Sequence, residues 1–168
     1  MSRESRRVVM GEIITEARIN QNAADTMDAA IAELLGVNRT DLFCLDILAR
    51  LGTVSAGRLA EESRLTTGAV TSVLDRLERA GYVRRLDDPT DRRRVLIETT
   101  DRFRELAEHA WGPVAEELIG SGSRYTREQL EGIRAFLRFG AELSYRRAEE
   151  LSEEVAAGDA HKARRRDR

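Results

Sequence analysis

The run from Leu59 to Thr100 most constrains the fold, because it reads as two short helices followed at once by a β-hairpin. The second helix carries apolar residues at the spacing i, i+3, i+4, i+7, which is typical of a helix with one buried face. These residues are Val70, Val73, Leu74 and Leu77. The opposite face is free to meet a partner. At about 100° per residue, the residues on that face are Gly68, Ser72, Asp75, Arg76 and Arg79.

Local signals predict where this helix begins and ends. Thr66 is a good N-cap, because its hydroxyl can accept a hydrogen bond from an N–H group of the first turn. Gly81 suits the C-terminal end, because glycine adopts the left-handed conformation without a steric penalty. The preceding helix is predicted to start after Ser55, which leaves residues 63–65 for the turn. Such a tight pair can place its second helix in a major groove, although a packed helical hairpin without that role fits the same pattern.

The segment after Gly81 predicts a β-hairpin with a basic tip. Residues 82–86 and 95–99 are short β-prone runs, and their linker contains Pro89 and several aspartates. Arginines at such a tip can enter a narrow minor groove, where the negative potential is strongest. The tip arginines are Arg92, Arg93 and Arg94. Taken alone, this tip is more typical of a solvated run of charged residues. Beside a helix-turn-helix, a contact with DNA becomes the favoured interpretation.

Together these motifs resemble the winged helix-turn-helix repressors of the multiple antibiotic resistance regulator (MarR) family. The resemblance rests on residues 65–82, on Asp-Pro-x-Asp-Arg-Arg at 88–93, and on the apolar segment that ends at Thr99-Thr100. It implies a mainly α fold: a winged helix-turn-helix head with a two-stranded β wing, and long N- and C-terminal helices that form a dimerisation region. The family's usual Leu-Thr reads Thr99-Thr100 here, and a frequent glycine is replaced by Arg102 or Phe103. These departures concern the start of the next helix.

The resemblance also implies roles for individual residues. Asp91 and Arg93 match the Asp-x-Arg positions, so Asp91 is expected to shape the wing and Arg93 to lie at the minor groove. Several positions of the second helix match those that commonly meet DNA. The predicted DNA-binding residues are Thr66, Thr67, Gly68, Thr71, Ser72, Arg76, Arg92, Arg93 and Arg94.

Long amphipathic helices are predicted on both sides of the head. A helix of about 25 to 30 residues is about 40 Å long, which is more than a small head can cover. A second copy of the chain is the simplest partner that would cover the rest of these helices, although they could instead cap a monomeric core. We therefore expect one MarR-like domain over residues 1–168, and an inverted-repeat operator read by two heads. Its predicted parts are dimerisation helices at 6–35 and 101–155, a head at 39–100, and a disordered basic tail at 157–168.

A ligand site is predicted where a helix kinked at Pro113 packs beside the dimer region. Leu45, Leu48 and Trp111 are its expected lining residues, although ordinary core packing explains each of them equally well. The resemblance implies that a small lipophilic or phenolic effector releases the DNA by favouring an incompetent spacing of the two heads.

Other classes of function find little support in the sequence. Cys44 lies among apolar residues, which favours a buried thiol over a redox sensor. His109 and His161 are far apart, so neither a metal site nor a cofactor is predicted. No nucleophile elbow or glycine-rich phosphate loop occurs, so no catalytic residues and no enzyme activity are expected.

The charge and hydropathy of the chain support the same interpretation. The net charge of −2 argues against a protein that coats nucleic acid indiscriminately. No apolar run approaches the roughly 18 residues of a membrane span, and no secretory signal is evident, so we expect a cytoplasmic protein without a membrane partner. The expected function is a sequence-specific transcriptional regulator of double-stranded DNA, acting as a homodimeric repressor. The alternative is a winged-helix adaptor that binds a protein partner without DNA recognition.

Overall fold

A computed structural model describes the backbone of residues 3–91 and 95–166. Side chains are described for residues 4–91 and 95–157. Within these ranges the helices are α1 (Arg3–Leu35), α2 (Arg39–Leu51), α3 (Ala56–Ser63), α4 (Thr67–Arg79), α5 (Asp101–Ser121) and α6 (Arg127–Arg166). The strands are β1 (Val54–Ser55), β2 (Val83–Asp87) and β3 (Val95–Thr99). A 3-10 turn at Gly122–Arg124 separates α5 from α6. The predicted mainly α fold with long terminal helices is confirmed.

The sheet contains one strand more than the predicted two-stranded wing. Strands β2 and β3 form the expected antiparallel hairpin, with Val83 opposite Thr99 and Asp87 opposite Val95. Strand β1 pairs with the other edge of β3, so the strand order is β1-β3-β2. A strand of two residues carries no alternation that could be read from the sequence, so the third strand was missed.

The core of the head is built from one apolar face of each of its helices. The predicted α4 stripe is buried along its whole length, and Leu45, Leu59 and Phe103 are among the side chains that pack with it. Ile97 of β3 and Tyr82 complete this layer. The apolar periodicity therefore predicted the buried face of α4 correctly.

The predicted ends of the helices are also confirmed. The hydroxyl oxygens of Ser55 and Thr66 accept hydrogen bonds from the amides of Arg58 and Ala69, each at 3.2 Å. Gly81 has a φ of +75° and donates its amide to the carbonyl of Glu78. A left-handed glycine here closes α4 and turns the chain into the wing.

Thr100 lies at the start of α5, the region in which the sequence departs from the family pattern. Its hydroxyl accepts a hydrogen bond from the amide of Phe103 at 3.3 Å and donates one to the carbonyl of Gly81 at 2.7 Å. One threonine thus caps α5 and ties it to the end of α4.

The chain divides into two compact units, Met1–Pro113 and Val114–Arg168. The first holds the head with α1 and the beginning of α5, and the second holds the rest of α5 and α6. Among the described residues, no helix is both long enough and apolar enough to cross a bilayer.

Helix α6 continues to Arg166, through most of the segment at 157–168 that the sequence predicted to be a disordered tail. Alanine and arginine are strong helix formers, and they dominate this segment without a proline to interrupt it. The loss of apolar periodicity indicated an unpacked segment, which is a different property from an unfolded one.

Candidate nucleic-acid interface

The N-terminal half of α4 presents small hydroxyl side chains on its exposed face. Thr67, Thr71 and Ser72 are exposed, and a methyl group added at Gly68 would meet open space. The hydroxyls of Thr71 and Ser72 donate to the carbonyls one turn earlier, at 3.0 and 3.1 Å. Each oxygen keeps acceptor capacity toward solvent. This surface can therefore approach a flat partner closely and exchange hydrogen bonds with it.

The C-terminal half of α4 is tied to neighbouring elements by ion pairs. Arg76 donates from Nε and Nη2 to the two carboxylate oxygens of Asp41 in α2, at 2.9 and 2.5 Å. This pairing raises the pKa of Arg76, chiefly through the side-chain hydrogen bond. Sequence reasoning missed Asp41, because it stands 35 residues away.

The base of the wing is braced against α4 and across the sheet. Arg85 of β2 pairs with Asp75 at 2.6 Å and with Glu78, and both acids belong to α4. On the neighbouring strand, the carboxylate of Glu98 accepts from Nε of Arg84 at 2.5 Å and from the hydroxyl of Thr53 at 3.1 Å. These hydrogen bonds lower the pKa of Glu98. The orientation of the hairpin is thus set relative to the helix beside it.

Asp88 shapes the turn that leads to the wing tip. Its Oδ1 accepts from the amide and the hydroxyl of Thr90, at 2.8 and 2.6 Å, and from the amide of Asp91 at 3.2 Å. An aspartate that binds the backbone two and three residues on makes a compact turn. Asp88 is buried and Asp91 is exposed, so the sequence-based emphasis on Asp91 overlooked a second wing-shaping acid.

A cavity of about 630 Å³ opens beside α2 in the first unit. Its apolar wall includes Phe43 and Trp111, while Asp28 and Asp46 stand among its polar groups. Burial, and then the negative charge of Asp46, raise the pKa of Asp28. The full set of lining residues is Gln21, Asp25, Asp28, Arg39, Thr40, Leu42, Phe43, Asp46, Ser63, Leu65 and Trp111.

Two comparisons of sequence identify the relatives of this chain. The family model for the MarR family matches residues 37–95, from just before α2 to the first residue of β3. The HTH-type transcriptional regulator YcgE of Bacillus subtilis (strain 168) is 39% identical over 124 residues, which cover 74% of this chain and 80% of YcgE. The chain belongs to the MarR family. It is therefore a DNA-binding transcriptional regulator with a winged helix-turn-helix.

Solved structures of MarR-family regulators share the fold. NadR in complex with 4-hydroxyphenylacetate has a TM-score of 0.58 and 26% identity, over 77% of this chain and 92% of NadR. A point mutant of S. aureus MepR, bound to an oligodeoxyribonucleotide, has a TM-score of 0.53 and 21% identity, over 78% of this chain and 96% of MepR.

The predicted DNA-binding residues fall into three groups in this MarR head. Thr67, Gly68, Thr71 and Ser72 share the exposed face of α4, with the N-cap Thr66 next to them. Arg76 is half-buried and its guanidinium is engaged with Asp41, so it lies only partly on the exposed face that the helical wheel predicted. The remaining predicted residues, Arg92, Arg93 and Arg94, lie outside the described residues.

The predicted ligand residues of this MarR protein lie in two different places. Trp111 lines the cavity, whereas Leu45 and Leu48 lie in the closed core of the head. Helix α2 turns its apolar face to α3 and α4 and its more polar face to the cavity, and the sequence pattern identified only the first face. Cys44 is fully buried, and burial raises the pKa of its thiol to about 11, which agrees with the predicted unreactive thiol.

Proposed function

We propose that the protein is a homodimeric repressor that binds an inverted-repeat operator and leaves it when a small lipophilic ligand enters the cavity beside α2. The observation that carries this proposal is the difference between the buried and the exposed face of α4. Its apolar face is locked into the core, and its N-terminal half presents small polar side chains on a rigid surface. Together with membership of the MarR family, this favours reading of the major groove.

In this proposal α4 and the wing have different roles in DNA binding. Thr67, Thr71 and Ser72 exchange hydrogen bonds with base edges, which serine and threonine hydroxyls can do with several bases. Gly68 allows the backbone to come close. The wing arginines Arg92, Arg93 and Arg94 enter the adjacent minor groove, where they add affinity and read the groove width. The MepR structure bound to an oligodeoxyribonucleotide supports DNA binding by this fold.

The exposed apolar faces of the long helices support a dimer of two copies of this chain. Ile13 of α1, and Ile133 and Leu137 of α6, are all exposed, although an isolated chain would lose free energy by leaving such rows in water. Other large exposed apolar residues in the N-terminal half of α1 are Val8, Val9, Met10, Ile14 and Ile19. Two-fold pairing would set two copies of α4 in successive major grooves, roughly 34 to 36 Å apart.

The charges around the cavity narrow the class of effector. Asp25, Asp28 and Asp46 outnumber Arg39, whose Nη2 already lies 2.5 Å from Asp25. A phenolate or carboxylate would meet net negative charge there, whereas an aromatic ammonium compound would be attracted to the acids and could stack on Trp111. We therefore propose that the effector is a small aromatic compound with a cationic group, which narrows the lipophilic or phenolic class that the resemblance implies.

The assignment of a cationic effector can be tested with two small molecules that have the same phenol ring. Tyramine and 4-hydroxyphenylacetate both carry a phenol, but one side chain ends in an ammonium and the other in a carboxylate. Trp111 is the single tryptophan of the chain, so its fluorescence reports on the cavity directly. Tyramine should perturb this fluorescence at lower concentration, and less so in Asp46→Asn. The control Asp75→Asn lies on α4, outside the cavity, and should behave like wild type. A preference for the carboxylate compound would refute the cationic assignment.

DNA binding itself is tested by sequencing genomic fragments recovered with the purified protein. The expected motif is an inverted repeat whose half-sites are about 10 base pairs apart, centre to centre. Ser72→Ala should change the base preference, by about 1 to 3 kcal/mol for an important contact. Arg93→Ala should weaken operator binding and keep the wild-type circular dichroism. Recovery of random fragments only, with no effect of salt on binding, would favour the protein-binding adaptor instead.

A further inference from the structure

Arg76 and Asp41 form a long-range ion pair in which the acid is almost wholly buried. The side chain of Asp41 is 3% exposed and that of Arg76 is 40% exposed. Both oxygens of the carboxylate are used, because Nε and Nη2 of the guanidinium donate to them side by side. Bidentate pairs of this kind fix orientation as well as distance.

Asp41 is itself held in place by the start of α2. The side-chain amide of Asn38 donates to Oδ2 of Asp41 at 2.9 Å, and the backbone amide of Asp41 donates to Oδ1 of Asn38, also at 2.9 Å. Asn38 is the N-cap of α2. The carboxylate that receives Arg76 is therefore anchored to the start of α2, a different helix from the one that carries Arg76.

The side chain of Arg76 cannot leave this partner without a large penalty. A departure would strand a buried carboxylate without its counter-charge, which costs more than a single base contact returns. The guanidinium therefore stays with Asp41 when DNA is bound. Its charge is already neutralised there, so it adds little attraction for phosphates.

Ser72 lies one turn before Arg76 on the same side of α4, and both residues line a shallow groove with Asn38 and Thr40. A tether at Arg76 thus sets the rotation of α4 about its axis, and with it the direction in which Ser72 faces. We infer that Asp41 and Arg76 are positioning residues: they form a clamp that orients the recognition surface of α4, and Arg76 does not read a base. This inference rests on the proposed role of α4 in operator recognition.

The test measures discrimination, defined as the ratio of operator affinity to affinity for unrelated duplex. Asp41→Asn and Arg76→Gln should each lower this ratio by about 5- to 50-fold, the size of one good base contact. The double variant should lose no more than either single variant, because both changes open the same clamp. The salt dependence of operator binding should stay at the wild-type slope in all three, whereas loss of a phosphate contact would reduce the slope by about 0.9.

Arg79→Gln is the matched control. Arg79 lies three residues further along α4, and its Nε donates to the backbone carbonyl of Asp75 within the same helix. This variant removes an arginine from α4 without opening the clamp, so its discrimination should equal that of wild type.

Three outcomes would overturn the clamp. If Asp41→Asn keeps full discrimination while Arg76→Gln loses it at a single base pair, Arg76 is a base reader. If both variants only lower the melting temperature and leave discrimination unchanged, the pair is merely stabilising. If amide exchange in residues 67–72 stays at the wild-type rate in both variants, α4 is not held by this pair.

Hydrogen exchange also separates this inference from the proposed function. A wild-type protein that recognises no DNA sequence would refute operator binding. Faster exchange in residues 67–72 of Asp41→Asn and Arg76→Gln, with no change in Arg79→Gln, would still support the clamp in that case.

Discussion

The head and the long helix α6 place their apolar side chains in opposite environments. Leu45, Leu59 and Leu77 of the head are fully buried among other side chains of the first unit. Ile133 and Leu137 of α6 are 44% and 59% exposed. The head thus has a core of its own, whereas most of the apolar residues of α6 stay exposed in the single chain. Stability and assembly are therefore expected to depend on different parts of the chain.

The ion pairs of the two regions differ in the same way. In the head, Arg76 and Arg85 reach acids on other elements, and these pairs orient α4 relative to α2 and the wing. In α6, Arg127 pairs with Glu131, four residues away in the same helix. A pair within one helix supports local helicity and little else. Charge therefore helps to define the tertiary structure of the head, whereas in α6 it supports the helix itself.

The largest expected effect is on assembly. Ile133→Ser should weaken the proposed dimer by roughly 3 to 6 kcal/mol, because a two-fold interface carries each substitution twice and each buried isoleucine contributes about 1.5 to 3 kcal/mol. Sedimentation across a dilution series measures this change. The neighbouring Arg134→Ser is the control. An unaltered dimer in Ile133→Ser would mean that this face of α6 does not form the contact.

A core substitution in the head should act on stability and leave assembly alone. Leu77→Ala removes a fully buried side chain, which costs about 2 to 5 kcal/mol in the free energy of unfolding. Urea denaturation followed by circular dichroism tests this value. Leu34→Ala, at an exposed position of α1, should cost far less. Equal losses at the two positions would contradict the division between a closed head and open helices.

Substitution of two threonine N-caps, one in the head and one before α6, should have a smaller effect on stability. Thr66→Ala in the head and Thr126→Ala before α6 should each cost about 1 kcal/mol of stability. Thr126 accepts from the amide of Gln129, whose side chain accepts from the amide of Thr126 in return. The cap of Thr66 supports the recognition helix, so only Thr66→Ala should also weaken operator binding. A DNA-binding defect in Thr126→Ala would break that distinction.

The smallest expected effect is on the stability of the protein at low pH. The folded state lowers the pKa of Glu98 through hydrogen bonds from Arg84 and Thr53. Its contribution to stability is therefore present above the unfolded value of about 4.5 and is lost as the pH falls through the lower folded pKa. Glu98→Gln should flatten the acid limb of the stability curve slightly, as measured by urea midpoints between pH 3 and 6. A steeper acid limb in the variant would reverse the assigned sign.

Much of the head could be predicted because the relevant signals are local. The buried face of α4, the cap at Thr66 and the left-handed Gly81 each depend on residues within a few positions of one another. The interior of the cavity could not be predicted, because Asp28, Asp46 and Trp111 come from three helices that meet only after folding. The same holds for β1, whose partner β3 lies some 40 residues later.

The residue pattern alone was enough to predict the family, the order of the helices and the buried face of α4, because helix periodicity and capping act over one or two turns. The pairing of Arg76 with Asp41 and the acidic wall of the cavity became visible only in the folded chain. Such pairings join residues distant in the chain, and nothing in the local pattern records which charged side chains the folded backbone brings together.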